Sequence, residues 1–294
     1  MPTRKINRIL IVYKKSSYQV HALSKKNSRY LKLLKEKNIV TRTSKTSHEI
    51  HLETIASVKR SLHELKIPFD VRLRYNLREI SGYDLVITIG GDGTFLETSH
   101  YLQDGYLMGI NSVPFESIGY YCKANAENFL EKLFQFIEGK ANIHPLHRLQ
   151  FTIQGLDKEK VSGFLALNDI LFTNHNPAGT TRYLLKIGNT VESHKSSGVW
   201  ISPAAGSTAA IHSAGGRALP ITSEKFQYLV REPYEPRQPY TLKKGILVPK
   251  AHVEITSNMD NARLYIDGPH ISYKILRGSR VTIQQSNNPI LAVW

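Results

Sequence analysis

The chain of 294 residues contains a single cysteine and no hydrophobic run long enough to cross a bilayer. One thiol, Cys122, excludes an internal disulfide framework and is typical of a reducing compartment; we expect a small buried side chain rather than a nucleophile. Because the first predicted strand begins at Ile9, we expect no presequence and a cytoplasmic location. The composition therefore argues against a disulfide-rich secreted domain and against a protein with membrane-spanning helices.

Common motifs for metal-dependent, hydrolytic and nucleotide chemistry are also missing. The 12 histidines follow no H-E-x-x-H or other ligand spacing, so we expect no metal site built from protein side chains. The sequence has no G-x-S-x-G elbow, no G-x-G-x-x-G dinucleotide fingerprint and no G-x-x-x-x-G-K-[ST] P-loop. Any nucleotide chemistry must therefore rest on a different loop.

The net charge of +15 raises the question of a nucleic-acid partner. Lysine and arginine crowd residues 1–60, where a predicted helix over residues 20–37 places many of them opposite an apolar side of Val20, Leu23, Leu31 and Leu34. No zinc-finger spacing, RNA-binding aromatic motif or heptad accompanies the charge, so we expect neither a nucleic-acid nor a membrane partner. A basic field equally favours small anionic substrates such as nucleotides.

The hydrophobic pattern divides the chain into two domains. Over residues 1–140, strands alternate with amphipathic helices, which predicts an α/β Rossmann-like domain with a parallel sheet. The predicted strands are 9–13, 71–75, 84–89 and 108–110, and the predicted helices are 20–37, 48–65 (capped by Ser47) and 128–138.

Residues 141–294 predict an all-β C-terminal domain, whose last segment is a candidate to return to the first domain. Short strands separated by turn residues are predicted at 149–153, 163–167, 169–173, 182–187, 199–202, 250–256, 262–266 and 280–284. The proline-rich stretch 233–239 cannot be a central strand, so we expect an irregular or edge segment there.

The most informative stretch is residues 86–96, with the sequence V-I-T-I-G-G-D-G-T-F-L. A buried strand ends at Gly90 and Gly91, which let the backbone turn sharply and approach a ligand. A helix follows, so unpaired N–H groups converge at this turn as an anion site. Asp92 places a carboxylate among them, which suggests a proton acceptor or a metal partner. An ordinary capped turn is the alternative, and the full G-G-D-G-T run makes it the weaker one.

Three polar stretches in the second half are further candidates. Asn168 and Asp169 interrupt an apolar strand, where they need a ligand or a protein partner, although a strand end with a local cap is the simpler interpretation of this pair alone. Ser207 and Thr208 follow a small-residue turn and supply hydroxyl and N–H donors for a nucleotide; a plain tight turn is the alternative. Asp267, before a glycine, is by itself a turn signal.

The order of these motifs resembles the ATP-dependent NAD kinases. G-G-D-G-T is followed by Asn168 and Asp169 (the Asn-acid pair), then by G-S-T-A, then by Asp-Gly. The similarity covers nearly the whole chain. The spacing within 109–120 and the Lys-Ser-Ser-Gly at 195–198 look most like the mitochondrial-type branch. The resemblance implies transfer of the γ-phosphoryl group of ATP to the 2′-hydroxyl of the NAD adenosine ribose, which makes NADP.

The resemblance also implies roles for individual residues. Asp92 is implied as the catalytic carboxylate, the general base that activates the 2′-hydroxyl. The implied dinucleotide-binding residues are Gly93, Thr94, Leu96, Tyr120, Asn168, Asp169, Thr208, Ala209 and Asp267. The implied phosphate-binding residues are Gly90, Gly91 and Ser207. Mg²⁺ is expected with ATP, no organic cofactor is expected to bind tightly, and NAD and ATP are the expected partners of a homodimer or homotetramer.

Two positions depart from the family pattern. Asp169 stands where the family usually has glutamate, and Ala210 replaces a common tyrosine. Both lie in the implied dinucleotide pocket, so the choice between NAD⁺ and NADH stays open, as does the choice among ATP, another triphosphate and polyphosphate as donor. A lipid kinase of the diacylglycerol or sphingoid type, which shares G-G-D-G-T, and a non-catalytic nucleotide-binding relative are the alternative interpretations.

Overall fold

The computed structural model describes residues 4–234 and 239–294 and divides the chain into two compact units. The first unit runs to His144 and includes Ile290–Trp294 at the end of the chain, while the second is Pro145–Pro289. The predicted boundary at residue 140 falls slightly earlier than this division. Residues 235–238 lie outside the described residues, so the irregular course expected for 233–239 stays a prediction.

A six-stranded sheet forms the centre of the first unit. Its strands are β1 (Ile9–Tyr13), β2 (Phe69–Leu73), β3 (Leu85–Gly90), β4 (Tyr106–Asn111), β5 (Ile143–Leu146) and β18 (Ile290–Val293), in the order β2-β1-β3-β4-β18-β5. β1 pairs in parallel with β2 and β3, and β4 pairs in parallel with β3 and β18. β1 and β3 are buried apolar runs, as expected for parallel strands covered on both faces.

The described residues of this unit form the α-helices α1 (Ser28–Lys35), α2 (Ser44–Glu64), α3 (Asp92–Tyr101) and α4 (Phe129–Ile137). Shorter helical segments occur at Gln19–Ser24, Ile39–Thr41 and Arg74–Asn76. α2 begins at Ser44, so Ser47 is not its cap; its hydroxyl instead donates to the Glu116 carboxylate. α2 and α4 pack on the sheet through Ile55, Val58, Leu62, Phe129, Leu133 and Phe136. No helix among the described residues is long and apolar enough to span a bilayer.

The single basic helix predicted over residues 20–37 is wrong. The chain forms a π-helical segment, Gln19–Ser24, and then breaks before α1. Lys26 adopts a left-handed φ of +45°, and the Asn27 side chain accepts a hydrogen bond from the Tyr30 N–H at 3.0 Å, which starts a new helix. No residue of α1 is buried, and Leu31 is 41% exposed, so the predicted apolar face is not packed.

The second unit is built from two six-stranded sheets whose described strand pairs are antiparallel. One has the order β10-β9-β14-β17-β6-β7 and comprises β6 (Leu149–Gln154), β7 (Lys160–Ser162), β9 (Thr181–Ile187), β10 (Thr190–Ser196), β14 (His252–Ser257) and β17 (Arg280–Gln285). The other has the order β13-β12-β11-β8-β15-β16 and comprises β8 (Ile170–Asn174), β11 (Gly198–Pro203), β12 (Phe226–Arg231), β13 (Lys244–Leu247), β15 (Ala262–Ile266) and β16 (Ile271–Ile275). After β11, a short 3-10 segment, Ala204–Gly206, leads to the short α-helix α5 (Ala210–Ser213).

Both sheets contribute to one hydrophobic core, which includes Phe151, Phe172, Leu185 and Val281. The fold class, an α/β domain followed by an all-β domain, is confirmed. The strand predicted at 163–167 is wrong, because only Ala166 makes a bridge there, to Leu149. The chain then leaves the sheet, and the N–H groups of residues 167–169 donate to the Asp267 carboxylate.

A buried histidine in this core has a clear consequence for stability. His194 on β10 is fully buried and stacks on Tyr183 and Tyr240, with ring centroids 5.5 and 4.1 Å away. Its Nε2 lies 3.2 Å from a Glu192 carboxylate oxygen. Burial lowers the pKa of His194, and the opposing charge of Glu192 does not cancel that effect. The folded state therefore holds this imidazole neutral under conditions in which the unfolded chain protonates it.

We predict that His194→Phe reduces the loss of stability in acid. The contribution of His194 is present above the unfolded-state pKa of about 6.5 and is lost as the pH falls below it, because the unfolded chain then binds a proton that the folded chain does not. Denaturant titrations between about pH 7 and about pH 5 should show the free energy of unfolding falling more steeply in wild type, by up to about 1.4 kcal/mol per pH unit. Equal slopes in the two proteins would contradict this assignment.

Candidate active site

The G-G-D-G-T turn lies at the carboxyl end of β3, where α3 begins. A β-carbon at Gly90 would lie 2.4 Å from Thr94 Oγ1, so a larger residue there would displace the Thr94 side chain. The Thr94 N–H donates to the Gly91 carbonyl at 2.8 Å, and Gly93 is exposed. Thr94 Oγ1 is buried and has no hydrogen-bond partner within the described residues. The predicted strand, glycine turn and helix N-terminus are therefore all present.

The carboxylate of Asp92 binds three consecutive backbone N–H groups. Oδ2 accepts from the Tyr120 N–H at 2.7 Å. Oδ1 accepts from the Tyr121 N–H at 2.8 Å and from the Cys122 N–H at 3.3 Å. These three bonds, together with a side-chain hydrogen bond from the Cys122 thiol, orient the carboxylate. Asp92 thus joins the start of α3 to a loop far along the chain.

The loop that donates these N–H groups is shaped by a second set of contacts. Asn111, the last residue of β4, donates through Nδ2 to the Ser117 carbonyl at 2.9 Å. Gly119 has a φ of +66°, and a β-carbon there would lie 2.8 Å from both Asn111 Nδ2 and the Cys122 carbonyl oxygen. Glycine is therefore needed just before Tyr120 to aim the N–H groups at one carboxylate.

Two more predicted residues of this unit lie near these features in sequence: Leu96 follows the glycine turn, and Tyr120 follows Gly119. Leu96 on α3 and Tyr120 are both half-buried, and the Lys123 ammonium lies 5.5 Å from the centroid of the Tyr120 ring. Cys122 is free and buried, and burial followed by the charge of Asp92 raises the pKa of its thiol. The expectation of a buried cysteine side chain is confirmed.

The second unit contains a carboxylate with the same arrangement. Asp267 follows β15 and adopts a φ of +49°. Its Oδ2 accepts from the Leu167 N–H at 2.9 Å, and its Oδ1 accepts from the N–H groups of Asn168 and Asp169 at 2.7 and 2.9 Å. The Asp267 N–H in turn donates to the Asp169 carbonyl at 2.9 Å. Asp267 is therefore more than a turn signal, since it holds the Asn-acid pair in place.

Asp169 has an unusual charge state for a carboxyl group. Its side chain is 5% exposed. Burial, together with the negative charge of Asp267, raises the pKa of Asp169 to about 7. This acid therefore changes charge near neutral pH, and it can either accept or donate a hydrogen bond to a ligand.

The backbone at Gly206 packs closely against the backbone of Asn168. A β-carbon at Gly206 would lie 1.7 Å from the Asn168 carbonyl oxygen, which also accepts a hydrogen bond from the Ser202 hydroxyl at 2.8 Å. Gly206 belongs to the small-residue turn in the sequence, yet nothing in the sequence shows that its missing side chain makes room for Asn168. This is the supporting residue that sequence analysis missed.

The residues after Gly206 differ in what they offer a ligand. Ser207 is fully buried, and its hydroxyl oxygen accepts from the Leu219 N–H at 2.9 Å. Its hydroxyl is therefore bonded to the backbone, and the phosphate-binding role expected for Ser207 stays a prediction. Thr208 is exposed, Ala209 is half-buried, and Ala210 is exposed at the start of α5. The predicted residues thus form two groups, one within each unit.

Comparisons with known proteins agree with these features. Residues 9–141 match the model of the ATP-NAD kinase N-terminal domain. A probable NADH kinase of Oryza sativa subsp. japonica is 34% identical over 268 residues, which cover 83% of this chain and 81% of the relative. An NAD kinase of Clostridium tetani is 31% identical over 199 residues, which cover 67% of this chain and 69% of the relative.

A solved structure has the same fold. The crystal structure of yeast NADH kinase complexed with NADH superposes with a TM-score of 0.72 at 17% identity, covering 99% of this chain and 84% of the yeast chain. At this level of identity the likeness concerns the fold alone. The family model and the extent of sequence identity to the rice protein together show that this chain belongs to the ATP-NAD kinase family.

Proposed function

We propose that this protein is an NAD kinase, which transfers the γ-phosphoryl group of ATP to the 2′-hydroxyl of the NAD adenosine ribose. The observation that carries this proposal is the Asp92 carboxylate, held by three N–H groups at the glycine turn of a chain from this family. In the reaction, the ribose 2′-oxygen bonds to the γ-phosphorus, and the bond from that phosphorus to the β,γ-bridging oxygen breaks. ADP leaves, and the hydroxyl proton passes to Asp92.

The geometry of Asp92 suits this role. A ribose hydroxyl is a weak nucleophile near neutral pH, so a carboxylate that accepts its proton lowers the barrier. Phosphoryl transfer depends mainly on positioning and on charge neutralisation. Because the three N–H groups already orient Asp92, the carboxylate need not reorganise during the reaction. Gly90, Gly91, Gly93 and Thr94 are proposed to bind phosphate beside it, and Ser207, whose hydroxyl also accepts from the Leu219 N–H, is the further phosphate-binding candidate.

We propose that Mg²⁺ enters as the complex with ATP. Within the described residues, no group of three or more histidine, cysteine or acidic side chains is placed to hold a metal ion. The phosphate oxygens of ATP are hard ligands that suit Mg²⁺, and the ion supplies neutralisation of their developing charge when bound. The side chains of this chain then have to position the donor rather than to build a metal cage.

The second unit is proposed to bind the dinucleotide through Asn168, Asp169, Thr208, Ala209 and Asp267. The Asn-acid pair presents an amide and a carboxyl group whose backbone is fixed by Asp267. Ribose hydroxyls can donate to that carboxyl group. We also propose a homodimer or homotetramer and a cytoplasmic location; the family resemblance supports the first and the single cysteine the second.

NADH is a second candidate acceptor. The rice relative is named a probable NADH kinase, whereas the clostridial relative is named an NAD kinase. Asp169 and Ala210 stand in the proposed dinucleotide site where the family usually has other residues, so the preference between NAD⁺ and NADH needs measurement. Membership of the ATP-NAD kinase family leaves no observation that favours a lipid kinase, and the retained Asp92 opposes a non-catalytic relative.

We predict NADP formation by the purified protein with NAD⁺, ATP and Mg²⁺, and NADPH formation if NADH replaces NAD⁺. Asp92→Asn should lower kcat by about 10²–10⁴-fold, which is the usual contribution of a general base. The asparagine also places an NH₂ group among N–H donors, so part of its effect is structural.

Gly119→Ala is the matched control for that structural effect, because it distorts the same loop and keeps the carboxylate. It should lose much less kcat than Asp92→Asn, while titration calorimetry shows whether each variant still binds NAD⁺. Equal losses of kcat in the two variants would show that Asp92 acts only through the loop. Wild-type protein that binds NAD⁺ without turnover on either dinucleotide would favour the non-catalytic relative.

We predict that the KM for NAD rises as the pH falls through about 7, where Asp169 becomes protonated. A charged carboxylate forms stronger hydrogen bonds to ribose hydroxyls than a neutral carboxyl group does, by about 1 kcal/mol, so KM should rise about fivefold. Asp169→Asn, which stays neutral, should show a flat KM between about pH 6 and about pH 8. If the variant keeps the wild-type pH profile, another group is responsible.

A further inference from the structure

Two basic side chains, those of Lys14 and Arg74, lie beside the G-G-D-G-T turn. Lys14 directly follows β1, and Arg74 directly follows β2. Tyr13, the last residue of β1, is in register with Leu73 of β2 and with Ile89 of β3. The carboxyl ends of three adjacent parallel strands therefore bring Lys14, Arg74 and the glycine turn together.

Distances to the turn place both side chains against it. A β-carbon at Gly90 would lie 3.6 Å from Lys14 Cγ, and a β-carbon at Gly93 would lie 3.9 Å from Arg74 Nη1. The Lys14 carbonyl accepts a hydrogen bond from His51 Nε2 at 2.8 Å, and His51 Nδ1 lies 2.8 Å from the Ser112 hydroxyl. His51 thus connects the backbone of Lys14 to Ser112, the residue that follows β4.

The electrostatic environment of Lys14 is unfavourable without an anion. Lys14 is half-buried, and no described residue forms an ion pair or a hydrogen bond with its ammonium group. Burial and then the positive charge of Arg74 lower the pKa of Lys14, against a smaller opposite effect of Glu116. Like charges at close range destabilise each other unless a counter-charge binds between them.

Each nearby carboxylate has a partner other than Lys14, and for Glu97 that partner is Arg74 itself. Glu97 Oε2 lies 2.7 Å from Arg74 Nε, close enough for an ion pair but without hydrogen-bond alignment. Glu116 accepts from the hydroxyls of Thr43 and Ser47. The N-terminus of α3 and the buried, unpartnered Thr94 hydroxyl face the same turn. Lysine and arginine charge, free N–H groups and a hydroxyl together form a site for a multiply charged anion.

We infer that Lys14 and Arg74 bind the terminal phosphates of the nucleoside triphosphate donor beside the glycine turn. The identity of the anion as a phosphoryl donor rests on the proposed kinase function. Lys14 supplies a point charge on a flexible stem, and Arg74 supplies a fixed fork of donors. Both then hold the donor against the turn that carries Asp92, so the first unit contains the donor site.

The test compares Lys14→Met with wild type and with Lys45→Met, which removes an exposed lysine of α2 that contributes only a weak surface ion pair. Titration calorimetry is run with ATP and with inorganic tripolyphosphate, each with and without NAD⁺. We expect Lys14→Met to weaken both ligands at least tenfold and Lys45→Met to leave both unchanged. We also expect the KM for ATP to rise by a similar factor in Lys14→Met, with the KM for NAD changed less than twofold.

Thermal unfolding separates this role from a merely structural one. Without anion, Lys14→Met should be at least as stable as wild type, because the variant removes an unpaired charge beside Arg74. Tripolyphosphate should raise the Tm of wild type and of Lys14→Arg, but not that of Lys14→Met. A lower Tm of Lys14→Met with unchanged affinity for ATP would overturn the inference and make Lys14 a structural residue.

The outcomes distinguish this inference from the kinase proposal. Weakened binding of ATP and tripolyphosphate to Lys14→Met, in a protein that makes no NADP, would support the anion site and contradict the kinase function. NADP formation by a Lys14→Met variant with wild-type KM for ATP would support the kinase and overturn the anion site. If wild-type protein binds neither ATP nor tripolyphosphate, with or without NAD⁺, the anion site is also overturned.

Discussion

Each unit of this protein depends on one aspartate that binds three consecutive backbone N–H groups of a loop. Asp92 binds residues 120–122, and Asp267 binds residues 167–169. In each loop a carboxylate supplies the kind of partner that sheet pairing provides for the N–H groups of a strand. Hydrogen bonds to a charged group contribute about 1.5–3 kcal/mol each, enough to hold a turn against its conformational entropy.

The same constraint connects structure to the proposed chemistry. An aspartate fixed by three backbone donors keeps its orientation, so Asp92 is already set for the proton transfer proposed for it. In the second unit, the fixed charge of Asp267 helps to raise the pKa of Asp169 to about 7. One unit thus presents an oriented carboxylate beside a cationic pair, and the other presents an acid whose charge changes near neutral pH.

Local patterns predicted most of the fold but few of the long-range partners. The apolar run before Gly90 and the G-G-D-G-T turn were sufficient to predict a strand, a turn and a helix around Asp92. Spacing carries no information on the partners of Asp92, which lie 28 to 30 residues further along the chain, or on the contact between Gly206 and Asn168. Lys14 belonged to a basic stretch that the pattern assigned to a solvated face, and only strand order places it at the turn. The helix predicted over 20–37 failed because Asn27 caps a new helix within it.

Hydrogen–deuterium exchange of the Tyr120, Tyr121 and Cys122 amides, measured in wild type and in Asp92→Asn, tests the central claim most directly. If the Asp92 carboxylate binds these amides, their exchange should be slow in wild type and should accelerate strongly in the variant, while the amides of β1 and β3 keep their protection. Equal exchange of the three amides in both proteins would contradict the account, because the loop would then be held by something other than Asp92.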